Sequence, residues 1–187
     1  MVSLSLLITL PLALGLTLTG DEVYVFNNGG VRGLGSPEPT GLQLAVRDVL
    51  RDAYLVLGRR PQVIAAPPAR GAFPSNTTFV FFGSSDGAPW LPALFPSVNA
   101  SCLGGWESHC VLGPAAAGGG AGYANVIVAT GSGMRGAIYG AYAFAEEVLG
   151  VNPWKWFTDD VPAFSAPLAP DEDKNCASER VCFPYLL

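Results

Sequence analysis

The chain has 187 residues, half of them hydrophobic and only 13% charged, with 23 glycines and 16 prolines. Such a composition fits one globular domain with a real core and long loops, and excludes a disordered chain or two full domains. A net charge of −5, with ten scattered Lys and Arg, leaves no basic face and excludes nucleic acid as a partner.

Residues 1–20, MVSLSLLITLPLALGLTLTG, carry an apolar stretch from Leu4 to Leu18. It has the length of a secretory leader's apolar region and is shorter than the roughly 20 residues of a membrane span. Ala13-Leu14-Gly15 offers a small-x-small cleavage site. A signal peptide over 1–20, secretion to the extracellular space and no membrane association are therefore expected; the plainer reading is a buried first strand or helix. Two glycosylation acceptors, Asn76-Thr77-Thr78 and Asn99-Ala100-Ser101, sit in loop-like sequence and agree with secretion. The four cysteines, Cys102, Cys110, Cys176 and Cys182, form two close pairs, and neighbour pairing is the simplest of three connectivities. Neither pair has CxxC spacing, and the single histidine, His109, abuts Cys110, so no metal site is expected.

Past the leader, Glu22 to Phe26 predicts a strand, closed by the turn residues Asn27-Asn28-Gly29-Gly30. Thr40-Gly41-Leu42-Gln43 has the form of a capping box opening a helix that runs to Gly58. Leu42, Ala45, Val46, Val49, Ala53 and Val56 recur at helical spacing on its apolar side, which leaves Arg47, Asp48, Arg51 and Asp52 for the wet side. Gln62–Ala65 and Thr78–Gly83 are continuous apolar runs, as expected of strands covered on both faces. A short helix over Ala88–Leu94 and a strand over Trp106–Leu112 follow. The low-complexity loop AAAGGGAG then leads to a strand over Asn125–Thr130 and a helix over Met134–Leu149. Strands alternating with helices predict an α/β fold, with a mixed or mostly parallel sheet flanked by helices. From Val151 the chain becomes rich in Trp and Pro, and residues 163–187 form an irregular tail without periodicity.

Gly131, Gly133 and Gly136 stand at GxGxxG spacing between the last strand and the last helix. A dinucleotide-binding turn opens the first βαβ unit and is followed about 20 residues later by an acidic residue ending a strand. Here the glycines come late and Asp159 has no apolar strand before it, so they serve helix–strand packing and no cofactor is expected. There is no GxSxG, and one histidine beside a cysteine is a poor basis for a serine triad. Glu107, Asp159 and Asp160, flanked by tryptophans, suit a carbohydrate site, where aromatic faces stack on sugar rings and carboxylates bond hydroxyls or move protons. The plainer reading makes Glu107 a surface residue and the two aspartates a solvated linker.

GGWES at 104–108, VIVATGSGMRGAIYGAYAFAEEVLGVNPWKWF at 126–157 and DDVP at 159–162 resemble the N-terminal domain of glycoside hydrolase family 115, the xylan α-1,2-glucuronidases. The capped helix, the RRPQVI after it and TFVFFG fall in the same order, so the resemblance covers residues 21–162. It implies an α/β domain shaped like the N-terminal domains of other glucuronidases and hexosaminidases. In the family a (β/α)8 barrel follows, carrying the principal catalytic acid; the tail DEDKNCASERVCFPYLL does not continue toward one, as in a truncated chain or a degenerate paralogue.

Family members invert 4-O-methyl-glucuronic acid branches of xylan, and their N-terminal domain lends residues to the pocket edge. By position those residues are Glu107 and either Asp159, counting from Pro153, or Asp160, counting back from Val161. The family's GSDKR is GSGMR here and keeps Arg135, whose charge opposes the dipole at a helix start and so points to a ligand or an ion pair. The resemblance thus implies a domain or fragment of a secreted xylan α-1,2-glucuronidase, with glucuronoxylan or a related polysaccharide as partner. Glu107, Asp159, Asp160, Arg135, Trp154 and Trp156 are its expected substrate-binding residues. Catalysis by the domain alone is not expected, because inversion needs an acid and a base about 6.5–9.5 Å apart on opposite sides of the sugar. A reading of another class is a stand-alone carbohydrate-binding or interaction module using Trp106, Trp154 and Trp156.

Overall fold

A computed structural model describes residues 18–26, 40–98, 103–114, 117 and 122–158. Five strands form one sheet: β1 (Val23–Phe26), β2 (Gln62–Ile64), β3 (Thr78–Ser84), β4 (His109–Leu112) and β5 (Asn125–Gly131). Their order is β2-β1-β3-β5-β4, with every neighbouring pair parallel except β4, which runs antiparallel to β5 at the edge. The helices are α1 (Gly41–Leu57), α2 (Trp90–Leu94), α3 (Gly133–Ala143), which continues into a π turn over Phe144–Val148, and α4 (Lys155–Thr158). This is the α/β architecture expected, a mostly parallel mixed sheet with flanking helices.

The apolar runs are continuous because successive side chains enter two different cores. Tyr24, Phe26, Val80, Phe82, Ile127 and Ala129 pack beneath α1 and α3. Val23, Val25, Phe79, Phe81, Val126 and Val128 point the other way, toward Leu91, Phe95 and Val98. The first face is tied by Tyr24 stacked on Phe82 at 6.2 Å, with Phe144 edge-on to Phe82 at 5.5 Å. The exception is β2, at the edge and largely exposed rather than covered on both faces.

Helix α1 starts as its sequence dictates: Gln43 N donates to Thr40 Oγ1, Thr40 N donates to Gln43 Oε1, and Gly58 closes the helix at φ 71°. Every predicted apolar position on it is buried, but Asp52, expected on the wet side, is fully buried as well. It forms an ion pair with the buried Lys155 of α4, which clamps the Trp-rich segment onto α1. Strand β4 begins at His109 rather than Trp106, since Glu107 adopts a left-handed backbone (φ 55°) that no ladder accepts.

The first described residue, Leu18, is completely buried in the core under α1, and the amides of Thr19 and Gly20 donate to the Glu22 carboxylate. Removal of residues through Gly20 deletes a core side chain; cleavage after Gly15 leaves it in place. Of the four cysteines only Cys110 lies among the described residues, buried on the second face of β4.

Candidate functional site

In parallel sheets, loops at the carboxyl ends of the strands gather the functional groups, and a crevice opens where the strand order reverses. The reversal falls between β1, which connects outward to β2, and β3, which connects toward β5. Because β4 is antiparallel, with His109 opposite Gly131, its amino end brings Trp106, Glu107 and Ser108 to the same edge as the start of α3.

Here Glu107 and Arg135 meet, with Oε1 2.7 Å from Nη1. The carboxylate is nearly buried, at 12% exposure, whereas the guanidinium is 56% exposed and lies 5.8 Å from the centroid of the Trp106 ring. A hydrogen bond with Tyr139 and the Glu107 charge raise the pKa of Arg135 still further, so it is a permanent cation. Trp106 is 78% exposed, leaving an indole beside a fixed cation on the surface.

The glycines explain how Glu107 comes so near the helix. A Cβ on Gly136 would stand 2.5 Å from the Ser108 carbonyl and 3.3 Å from the Glu107 carbonyl carbon, and one on Gly131 would stand 2.1 Å from the Gly136 backbone. Gly140 leaves the same room for Thr130. Strand, turn and helix therefore touch backbone to backbone, in the packing role expected of GSGMRG. The Asp86 carboxylate sits 3.9 Å from the place of a Cβ on Gly133, which disfavours a phosphate at that turn.

Serines lock the turn. Ser132 N donates to the Ser108 carbonyl at 2.8 Å, Ser132 Oγ to the Gly105 carbonyl at 2.7 Å, and Gly133 N to Ser85 Oγ at 3.4 Å. Thus Ser132, the residue before α3, holds the GGWE segment with its hydroxyl instead of capping the helix. His109 is buried near Tyr139, with ring centroids 6.0 Å apart, and burial lowers its pKa, so it adds no positive charge here at neutral pH. Sequence reasoning did not single out Ser85, Asp86, Ser108 or Ser132; the signal for the first two was SSDG directly after a central strand.

The other expected site residues lie elsewhere. Trp154 is 65% exposed and packs on Phe157 at 6.1 Å, beside the Lys155–Asp52 clamp. Asp52 is roughly 16 Å along the α1 axis from Gly41, which meets Ile138 of α3 near the site edge. The structure joins Glu107, Arg135 and Trp106, and sets Trp154 apart from them. Asp159, Asp160 and Asn99 fall outside the described residues, as does the side chain of Trp156.

Fold and site together define an α/β domain with a charged aromatic cluster at the carboxyl edge of a mostly parallel sheet. No protein-family model matches the chain, and no curated protein matches it. Among solved structures, a family GH115 4-O-methyl-α-glucuronidase with specificity for decorated arabinogalactans is similar, with a TM-score of 0.54 and 15% identity. The match covers 81% of this chain and 16% of that one, so the chain spans about one sixth of the neighbour's length and shares the fold of one of its parts.

Proposed function

We propose that this is the N-terminal domain of a secreted glycoside hydrolase of the α-glucuronidase type, presenting Trp106, Glu107 and Arg135 to uronic-acid-bearing polysaccharide. The observation that carries the reading is the exposed guanidinium of Arg135, fixed at one nitrogen by a nearly buried carboxylate and flanked by an exposed indole. Such a guanidinium offers further N–H donors to a sugar carboxylate, and the indole offers a flat face to a pyranose ring. Glu107, held by Arg135, orients that cation and is one half of an acid–base arrangement. The domain alone does not hydrolyse: the principal catalytic acid comes from a barrel domain, and Asp159 or Asp160 helps to position substrate or water. The likeness to part of a GH115 glucuronidase supports this reading. Secretion and a Cys102–Cys110 bridge belong to the same proposal.

Arg135→Ala is expected to weaken glucuronoxylan binding roughly tenfold, the loss of one hydrogen bond to a charged group. Its melting temperature should fall by only a few degrees, because the guanidinium is exposed although the nearly buried Glu107 carboxylate loses its partner. Affinity electrophoresis in glucuronoxylan gels measures the first quantity, and equal retardation of the two proteins would contradict the reading. A stand-alone binding module is favoured by one observation, the exposed Trp154 beside Phe157. Retardation that depends on Trp154 and is unchanged in Arg135→Ala marks the module.

A further inference from the structure

At the opposite, amino edge of the sheet lies a cleft of ≈ 270 Å³, whose lining includes Arg70, Phe73, Ser75, Thr77, Phe79 and Tyr123. This is smaller than the roughly 300–1,000 Å³ of pockets that take drug-sized ligands. Its aromatic floor is firmly set. Phe73 meets Phe79 edge-on at 5.5 Å, Tyr123 packs on Phe79 at 5.0 Å, and the Tyr123 hydroxyl donates to the Pro68 carbonyl at 2.8 Å. The rim is a tight turn in which Thr77 N donates to the Pro74 carbonyl at 3.0 Å, and Asn125 Nδ2 pins the Asn76 carbonyl at 3.2 Å. Within that turn the exposed Asn76 stands between two lining residues, three positions after the half-buried ring of Phe73.

We propose that Asn76 carries an N-linked glycan whose first N-acetylglucosamine lies in this cleft, with its C–H face on Phe73. The inference rests on the secretion clause of the function proposed above and not on the sugar-binding cluster. Asn76-Thr77-Thr78 supplies the acceptor sequence. In the transfer the Asn76 amide nitrogen bonds to the anomeric carbon of a lipid-pyrophosphate-linked oligosaccharide; the bond from that carbon to the pyrophosphate oxygen breaks, and the amide loses one proton. Thr78, whose hydroxyl the transfer requires, is buried in β3, so the transfer precedes the folding of that strand. The turn then holds Asn76 on the rim, three residues after Phe73 of the floor, and a pyranose seated there covers aromatic surface that otherwise faces water.

The test uses the full chain secreted from a eukaryotic host in an Asn99→Gln background, so that Asn76 is the one acceptor. Three forms are compared by melting temperature: the intact glycan, the glycan trimmed to its first sugar, and Asn76→Gln. Both glycosylated forms are expected to melt about 2–4 °C above Asn76→Gln. In Phe73→Leu, which keeps apolar volume but removes the ring, that difference should vanish. The same difference is read with and without the Phe73 ring, as a double-mutant cycle, so the cost of Phe73→Leu itself cancels. An increment that survives Phe73→Leu, an increment that needs sugars beyond the first, or a secreted chain with unmodified Asn76 overturns the proposal. Glucuronoxylan binding by the same preparations reads the carboxyl-edge cluster separately, so the two proposals fail independently.

Discussion

Asp52→Ala is expected to lower the free energy of unfolding by about 3–5 kcal/mol, the usual cost of breaking a buried ion pair by removing one partner. Asp52 is fully buried and Lys155 is 7% exposed, and their bond joins residues 103 apart in sequence. The substitution takes the carboxylate from a buried ammonium group and weakens the hold on the segment from Asn152 to Thr158. Lys155→Met leaves the buried carboxylate with only the 3.4 Å contact to Arg51 and should cost less than Asp52→Ala. The double variant Asp52→Leu, Lys155→Met should recover most of the loss, since apolar pairs of matching volume replace buried ion pairs at little cost. Urea unfolding of the four proteins measures this. Single variants within about 0.5 kcal/mol of the parent, as found at ordinary surface positions, would show that the clamp contributes nothing.

Gly136→Ala should cost about 3 kcal/mol and also dismantle the carboxyl-edge cluster. The new Cβ would stand 2.5 Å from the Ser108 carbonyl, a backbone atom that cannot swing aside as a side chain can. Relief requires α3 to move off β4, and that movement draws Glu107 away from Arg135. The variant should therefore lose both stability and glucuronoxylan binding, whereas Arg135→Ala loses binding with a smaller loss of stability. Thermal unfolding and gel retardation, run on both variants, separate the two effects. A Gly136→Ala protein that is as stable as the parent would mean that the close approach of strand and helix is unnecessary.

How much of this was legible depends on whether the signal is local. The start and stop of α1 were readable because Thr40, Gln43 and Gly58 satisfy the helix ends from within the segment itself. The two-faced burial of β1, β3 and β5 was readable in their unbroken apolar runs, and the same logic misplaced β2, where an edge position overrides composition. Asp52 was misplaced for a different reason. It shares the polar side of α1 with Asp48, and the distant Lys155, together with Arg51 beside it, makes its burial tolerable.

The site divides in the same way. The charge of Arg135 against the helix dipole already called for a ligand or an ion pair, and the structure supplies the ion pair with Glu107. That these two meet is a tertiary fact, set by the antiparallel β4 and the missing Cβ of Gly136. The serine lock around Gly105 was invisible for the same reason. Tryptophans alone were a poor guide, since Trp106 joins the charged cluster and Trp154 stands beside a structural clamp.

The central claim is that the Trp106–Glu107–Arg135 cluster recognises the carboxylate of a uronic acid on a sugar chain. Titration calorimetry with a xylo-oligosaccharide bearing one glucuronic acid, and with the same oligosaccharide after reduction of that carboxyl group to an alcohol, tests it directly. The claim predicts binding of the acidic oligosaccharide that falls at least tenfold on reduction, and in Arg135→Ala an affinity about tenfold lower for the acidic ligand that no longer differs between the two. Equal affinity for the acidic and reduced oligosaccharides, or binding that ignores Arg135, would contradict it.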